Sequence, residues 1–288
     1  MFKKRIRDVL SILGDFFTRY SHIQKAAEFK KIYSFNLIYF FNDKLSREIS
    51  IKGIFEKEQL FATLSVLKKK RTLIDVGANI GNHSIFFSKY FKKILSFEPF
   101  PLTFSVLKLN TMNIKNISLF NYGLSDKTKI LYFDDKATCN VAGMKLLRKS
   151  KISTKLNTFD KKFSNLKDID LIKVDVEGHE KQVISGMTKT LKKNSSVLFI
   201  EFDPNDYYKS SLINKLKKIG YINFYFFSNS NDENKIKLKN LPWIILRTLL
   251  FGRKKGKIKI TSFEEYNSVK NVMRDNILCS KNKLNLNV

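Results

Sequence analysis

The strongest constraint on the fold is an apolar run that ends in an acid and a glycine-punctuated turn, TLIDVGANIG at residues 72–81. Its apolar residues are typical of a buried parallel strand, and residues 82–90 have the pattern of a helix. The glycines therefore lie at a strand-to-helix turn, where they can adopt φ > 0 and let a ligand approach the backbone. A second predicted strand, residues 94–97, ends at Glu98, whose carboxylate can accept hydrogen bonds from both hydroxyls of a ribose. The two motifs together predict a nucleoside site.

The spacing within the turn distinguishes between nucleosides. A nicotinamide-binding turn follows G-x-G-x-x-G and places a helix N-terminus against a pyrophosphate. Here the order is Asp75, Gly77, Asn79, Gly81, with Ala78 inside the loop and no third glycine at the required offset. An acid at the start of the loop repels phosphate but suits an ammonium group, which S-adenosylmethionine carries in its amino-acid part. We therefore favour S-adenosylmethionine over NAD as the cofactor.

Four blocks of sequence carry a resemblance to a known family. They are IDVGANIG at 74–81, SFEPFPLTFSVLKLN at 96–110, TFD at 158–160 and LIKVDVEGHEKQVISG at 171–186. With these blocks the chain resembles the FkbM-type methyltransferases, which are class I enzymes that use S-adenosylmethionine. The resemblance covers about residues 55–227 and neither end of the chain.

The expected fold is α/β. Strands and helices alternate through the middle of the chain, which predicts a Rossmann-like, doubly wound, mostly parallel sheet with helices on both faces. The resemblance implies seven strands, with an antiparallel last strand after residue 228. We expect three parts: an N-terminal helical or hairpin extension at 1–54, the methyltransferase core at 55–227, and a last strand with a basic extension at 228–288.

The predicted catalytic residues follow the strand at 169–174. Asp175 ends this strand and would order the methionine part of the cofactor or the acceptor hydroxyl, and Glu177 could orient the acceptor. His179 could act as general base, since its ordinary pKa is near neutrality. The alternative, which we favour for this histidine, is a place on the first turn of the next helix, where it faces solvent or caps Glu180.

The predicted cofactor-binding residues surround the ends of the first three strands. Adenine is expected to meet Phe97, Pro99 and the turn at 121–126, and either Asn121 or Asp126 could hydrogen-bond its exocyclic amine. The full set is Asp75, Gly77, Ala78, Asn79, Gly81, Glu98, Pro99, Asn121 and Asp126. No metal ligand is assigned. The carboxylates of Asp175, Glu177 and Glu201 on one rim could hold a divalent cation, but nothing in their spacing requires one.

The charge of the chain bears on its partners. Lys and Arg number 54 against 26 Asp and Glu, a net charge of +28 among 288 residues. This surplus favours anionic partners such as a phosphorylated glycan, an anionic membrane face or nucleic acid, although A/T-rich coding would produce it without any ligand. An apolar helical stripe in residues 2–20 and the apolar run at 241–252 with its basic flank suggest a peripheral membrane contact.

The sequence favours a cytoplasmic protein, at most held at the inner face of the membrane. Cys139 and Cys279 have no metal or redox spacing, and no signal peptide or spanning helix is evident. The resemblance implies O-methylation of a hydroxyl, and the preferred acceptor is a sugar in a surface glycan or its carrier-linked precursor. The alternatives are an RNA methyltransferase and a non-catalytic peripheral-membrane or complex-forming protein that retains the fold. The oligomeric state is left open.

Overall fold

The structure is a computed structural model. It describes residues 37, 38, 49, 53–133, 146, 147, 152–203, 207, 210–229, 258–268 and 272–286. The apolar stripe at 2–20, the run at 241–252 and Cys139 lie outside these residues.

The described elements alternate as the sequence pattern predicts. The strands are β1 Thr72–Val76, β2 Lys93–Phe97, β3 Ile117–Phe120, β4 Gly123–Leu124, β5 Lys129–Phe133, β6 Leu146–Leu147, β7 Ile152–Asn157, β8 Ile169–Val174, β9 Val197–Glu201, β10 Asn223–Asn229, β11 Ile258–Ser262 and β12 Val272–Ser280. The α-helices are α1 Lys57–Ser65, α2 Asn82–Ser88, α3 Pro101–Thr111, α4 Phe159–Phe163, α5 Glu180–Gly186, α6 Thr188–Lys193 and α7 Ser211–Ile219, and a 3₁₀ helix covers Phe263–Ser268.

The main sheet has the order β11-β10-β12-β9-β8-β1-β2-β3. From β9 to β3 all neighbouring strands are parallel, whereas β12 joins β9 and β10 antiparallel and β11 joins β10 antiparallel. The Rossmann-like α/β fold is thus confirmed. The expected count of seven strands differs from the structure, which has eight in this mixed sheet, because two strands after residue 257 both pair with it.

A second, smaller sheet has the order β4-β7-β5-β6. β4 follows β3 after only two residues, and it pairs parallel with β7. Residues 123 and 124 therefore leave the main sheet near the end of β3 and enter another one. This second sheet was not predicted, since its pairings join residues that are 13 to 33 positions apart and carry no local signal of partnership.

The core lies on both faces of the main sheet. Along β1, Ile74 and Val76 belong to one apolar cluster and Leu73 to the other, and β8 alternates in the same way from Leu171 onwards. Because successive side chains of a strand point to opposite faces, a central strand covered on both sides is apolar throughout. All five residues of β1 are buried.

The helical segment that follows β8 is divided into α5 and α6 at Met187. Just before the break, a Cβ at Gly186 would lie 1.8 Å from the backbone oxygen of Ser125. Only glycine permits this contact, which holds the end of α5 against the segment that follows β4.

Within the described residues, no helix combines the length and apolarity needed to cross a membrane.

Two buried tyrosines provide a matched stability test. The hydroxyl of Tyr221 is buried and has no hydrogen-bond partner among the described residues, whereas that of Tyr225 accepts the backbone N–H of Leu284 at 2.9 Å. Because an unsatisfied buried hydroxyl is costly, Tyr221→Phe should leave the free energy of unfolding unchanged or raise it by about 1 kcal/mol. Tyr225→Phe should lower it by about 1 kcal/mol. Urea denaturation measures both, and equal losses would contradict this account.

Candidate active site

The site lies where the order of strands reverses. The chain runs from β1 outward to β2 and β3, and later returns to place β8 on the other side of β1. In open α/β sheets, ligands bind in the crevice at the carboxyl ends of the strands at such a reversal. Two loops border this crevice: the glycine loop at 77–81, after β1, and the segment at 175–179, after β8.

The glycine loop takes the conformation that its sequence predicts. Gly77 has φ 77° and Gly81 has φ 100°, and Asn79 between them also lies in the left-handed region at φ 50°. A Cβ on Gly77 would lie 1.8 Å from the backbone oxygen of Asp175. The glycine therefore allows the loop after β1 to pack directly against the chain that leaves β8. Ala78 lies buried between them.

Glu98 connects the glycine loop with the end of β2. Its Oε2 accepts the N–H of Asn79 at 2.9 Å, and its Oε1 accepts the N–H of Phe100 at 2.9 Å. Burial raises the pKa of Glu98 to about 7 against these two hydrogen bonds. Each carboxylate oxygen keeps a second lone pair, so the group can still accept ribose hydroxyls.

Asp75 and Lys173 form a buried ion pair beneath the glycine loop. Lys173 Nζ lies 3.4 Å from Asp75 Oδ1 and 3.4 Å from Asp175 Oδ2, and it donates to the carbonyl oxygen of Gly77 at 2.7 Å. Asp75 Oδ2 accepts the hydroxyl of Ser84 at 2.5 Å. Although burial opposes it, the charge of Asp175, followed by that of Asp75, raises the pKa of Lys173. Asp75 has no exposed surface, so its direct contact with a ligand stays a prediction.

The rim of the crevice carries three carboxylates, Asp175, Glu177 and Glu201, with oxygens that lie within 4.8 Å of one another. Burial and then the charge of Asp175 raise the pKa of Glu201 to about 8, so Glu201 holds a proton at neutral pH. Burial would also raise the pKa of Asp175, but the neighbouring charge of Lys173 holds it below its ordinary value. The pair thus combines an ionised and a protonated carboxyl group, joined by a hydrogen bond. Such clusters are common without an ion, and no metal is assigned here.

His179 neither faces solvent freely nor caps Glu180. Its Nε2 lies 2.9 Å from the hydroxyl of Ser125, which in turn lies 2.9 Å from Asp126 Oδ1. The carboxylate of Glu180 instead accepts the N–H groups of Val176 and Gly178, at 3.3 and 3.0 Å, and braces the loop after β8. Burial, followed by the charge of Lys129, lowers the pKa of His179 and keeps it neutral at pH 7.

The expected adenine side is only partly as predicted. Phe97 is fully buried and stacks on Phe120 at 4.7 Å between ring centroids, so it belongs to the core and does not face a ligand. Asn121 is exposed and donates to the backbone oxygen of Glu98 at 3.0 Å. Pro99 is partly exposed at the same edge, and Asp126 is exposed. These positions are compatible with the predicted contacts to adenine, which stay predictions.

Sequence reasoning missed Lys173 as a site residue. β8 contains two charged residues, Asp170 and Lys173, and is otherwise apolar. A lysine within such a strand, two residues before Asp175, was the signal from which its role could have been predicted. It also missed Ser125, which connects the loops after β4 and β8, because nothing local marks a contact between residues 54 positions apart.

The comparisons with known proteins bear on this geometry. The profile of the Methyltransferase FkbM domain matches residues 75–223, a span that begins at the buried acid of β1 and covers more than half of the chain. The chain belongs to the FkbM methyltransferase family. The resemblance noted in the sequence is therefore confirmed, and the matched segment contains both loops of the crevice.

Two curated relatives match part of the chain. Hexuronic acid methyltransferase AglP of Haloferax volcanii is 29% identical over 50% of this chain and 61% of its own length. Methyltransferase 1 of Beauveria bassiana is 30% identical over 40% of this chain and 57% of its own length. The FkbM chain thus spans about three fifths of the curated relatives that it matches.

Two solved structures are similar at low identity. Precorrin-6y C5,15-methyltransferase from Geobacter metallireducens has a TM-score of 0.42 and 14% identity, and covers 80% of this chain and 92% of its own. Methyltransferase FkbM from Methylobacillus flagellatus has a TM-score of 0.36 and 13% identity, and covers 68% and 51%. At such TM-scores the similarity does not bear on function.

The buried ion pair gives a stability prediction. Lys173→Met leaves the carboxylate of Asp75 without its cation, and breaking a buried pair in this way should cost about 3–5 kcal/mol of folding free energy. Adding Asp75→Asn to the same chain removes the unpaired charge and should restore most of that loss. Urea denaturation of the single and double variants measures both. A double variant as unstable as Lys173→Met would place the loss in packing of the lysine stem instead.

Proposed function

We propose that this FkbM-family chain is an S-adenosylmethionine-dependent O-methyltransferase whose acceptor is a sugar hydroxyl of a surface glycan or of its precursor. The observation that carries the proposal is Glu98, a buried carboxylate that joins the glycine loop to the end of β2 at the reversal of strand order. A carboxylate in this place is suited to a ribose.

The residues present fit the cofactor. Glu98 would hold the ribose, Gly77, Ala78, Asn79 and Gly81 would line the amino-acid part, and Pro99, Asn121 and Asp126 would border adenine. The rim carboxylates, at the carboxyl end of β8, would attract the ammonium group. When bound, S-adenosylmethionine supplies a methyl group already activated on its sulfonium, so a sulfur–carbon bond breaks as an oxygen–carbon bond forms.

The protein's own task is then to align the acceptor and to take its proton. Asp175 is ionised because Lys173 holds its pKa low, so it can accept a hydrogen bond from the acceptor hydroxyl and take up the proton that this oxygen loses as it gains the methyl group. His179 would serve less well as the base through Nε2, which already lies against Ser125. Glu177, exposed on the same rim, would orient the acceptor.

The acid-rich rim also favours a neutral reacting group. Asp175 and Glu177 both raise the pKa of Glu201, which means that one more negative charge is unfavourable at this position. A neutral hydroxyl therefore suits the rim better than a carboxylate does. Anionic parts of a carrier-linked sugar would instead be bound by the basic surface, in keeping with the net charge of +28. The partial match to a hexuronic acid methyltransferase supports a sugar acceptor. A cytoplasmic location, with contact to the inner membrane face, is part of the same proposal.

Cofactor binding is the first test. Calorimetric titration should give a Kd of about 1 µM for S-adenosylmethionine and for S-adenosylhomocysteine, and no binding of NAD. Glu98→Ala should abolish binding, since both ribose hydroxyls lose their acceptor. A folded protein that binds neither methyl compound would refute the methyltransferase proposal and favour a non-catalytic scaffold at a membrane surface.

The pH dependence of binding follows from the raised pKa of Glu98. If the ionised carboxylate binds the ribose, a pKa of about 7 means that affinity increases as pH rises through neutrality. We expect the Kd to be about tenfold higher at pH 6 than at pH 8, which means weaker binding at pH 6. Glu98→Gln should bind weakly at both values with no such dependence. Without ligand the sign is opposite: folded Glu98 titrates above its ordinary value of 4.5, so its contribution to stability is lost as pH rises towards 7.

The acceptor is tested with methyl-labelled cofactor. We expect transfer to a nucleotide- or lipid-linked neutral sugar, with a KM that rises with ionic strength because the carrier is anionic. A free neutral sugar that reacts equally well at all salt concentrations would contradict the role given to the basic surface. Labelled RNA, with salt-sensitive binding, would instead establish the nucleic-acid alternative.

A further inference from the structure

Glu56 lies outside the segment that the family profile matches, yet it contacts residues next to the crevice. It directly precedes α1, which leads back along the sheet into the start of β1. The beginning of α1 is therefore placed near the end of β1, beside the crevice. The matched segment begins nineteen residues later in the chain, at Asp75.

The backbone of Glu56 is strained. It has φ 55°, in the left-handed region that side chains with a Cβ rarely adopt. Three other non-glycine residues of the described part share this conformation: Asn79 at 50°, Glu177 at 52° and Asp168 at 63°. Asn79 and Glu177 lie on the two loops that border the crevice. Such strain persists where the surroundings impose it, and it concentrates at functional sites.

The carboxylate of Glu56 is held by two side chains. Its Oε1 accepts the side-chain N–H of Asn276 at 2.7 Å, and its Oε2 lies 3.3 Å from His83 Nε2. Asn276 belongs to β12, where its register partner on β9 is Glu201. The side chain of Glu56 is only 12% exposed. The carboxylate is thus buried between α2 and the antiparallel part of the sheet.

His83 is the residue through which Glu56 would act on the rim carboxylates. It lies on the first turn of α2, directly after the glycine loop, and is held between the rings of Phe55 and Phe199, each with its centroid 6.2 Å away. The ring of Phe199, which His83 meets edge-on, lies two residues before Glu201 on β9, so the imidazole is near the rim carboxylates. A proton on His83 would lower the pKa of Asp175. The charge of Glu56 also helps to raise the pKa of Lys173, the cation beside Asp175.

We propose that Glu56 is a positioning residue for methyl transfer: it fixes His83 beside Asp175 and thereby brings a part of the chain outside the family-matched segment into the acceptor side of the active site. This inference rests on the proposed function. The side chain of Glu56 contacts His83 and Asn276, which lie towards the rim carboxylates, so we expect Glu56 to affect methyl transfer more than cofactor binding.

The test separates turnover from cofactor binding. Glu56→Gln keeps the size of the side chain and an oxygen for Asn276, but it removes the charge that faces His83. We expect kcat to fall about tenfold while the Kd for S-adenosylmethionine stays within about twofold. Asp168→Asn is the matched control, since Asp168 has the same backbone conformation and pairs with Arg71 at an exposed position. Its kcat and Kd should equal those of the unmodified chain.

A double-variant cycle identifies His83 as the intermediary. His83→Gln should lower kcat about as much as Glu56→Gln, and the two changes together should cost no more than either alone. A further readout does not depend on turnover: the ¹⁵N resonance of His83 Nε2 should shift in Glu56→Gln and stay unchanged in Asp168→Asn. Additive losses, or an unshifted resonance, would overturn the proposal.

The outcomes also separate this proposal from the preceding one. An unmodified chain that binds no S-adenosylmethionine sinks the proposed function itself. A chain that binds and transfers methyl groups, but whose Glu56→Gln variant has an unchanged kcat, overturns only the role of Glu56. If Glu56→Gln does not fold, His83→Gln decides, because it leaves Glu56 and its backbone untouched: an unchanged kcat then refutes the positioning role.

Discussion

The active site depends on one buried cation. Lys173 lies inside the sheet between β1 and β8, where its ammonium group faces two carboxylates and the first carbonyl group of the glycine loop. A lone charge there would be prohibitively costly, and so would Asp75 without a cation. The ion pair joins β1 to β8 next to the two loops that form the crevice. At the same place Gly77 approaches the backbone of Asp175 so closely that only glycine fits.

The sequence allowed the central parallel strands to be predicted well and the antiparallel strands poorly. β8 has the predicted bounds, because a strand buried on both faces is apolar at nearly every position. An antiparallel last strand after residue 228 was expected and is present, but the bounds of β11 and β12 and their places in the sheet were not predicted, since their antiparallel pairing with β9 and β10 leaves no mark on local composition. The division at Met187 was missed for a related reason: a contact of Gly186 with Ser125 determines it.

The site follows the same rule. The glycine loop and Glu98 were found because they follow consecutive strands of a parallel unit, which brings them to one edge of the sheet by topology alone. The partners of His179 and Glu56 were not found, because Ser125 and Asn276 reach them across 54 and 220 residues of chain. Contacts of that range depend on the folded register of the sheet. The site residues of a short motif can therefore be predicted from the sequence, whereas the distant residues that contact them cannot.

The position of β12 in the sheet has a consequence for folding during synthesis of the chain. This strand follows β10 by more than forty residues in the chain, yet it lies within the sheet, between β9 and β10. During translation those two strands must wait, with their edges unpaired, until residues 272–280 leave the ribosome. Unpaired edges recruit other chains. The nascent protein is thus exposed to aggregation until residues 272–280 emerge, and a chain cut before residue 272 would leave the sheet open between β9 and β10.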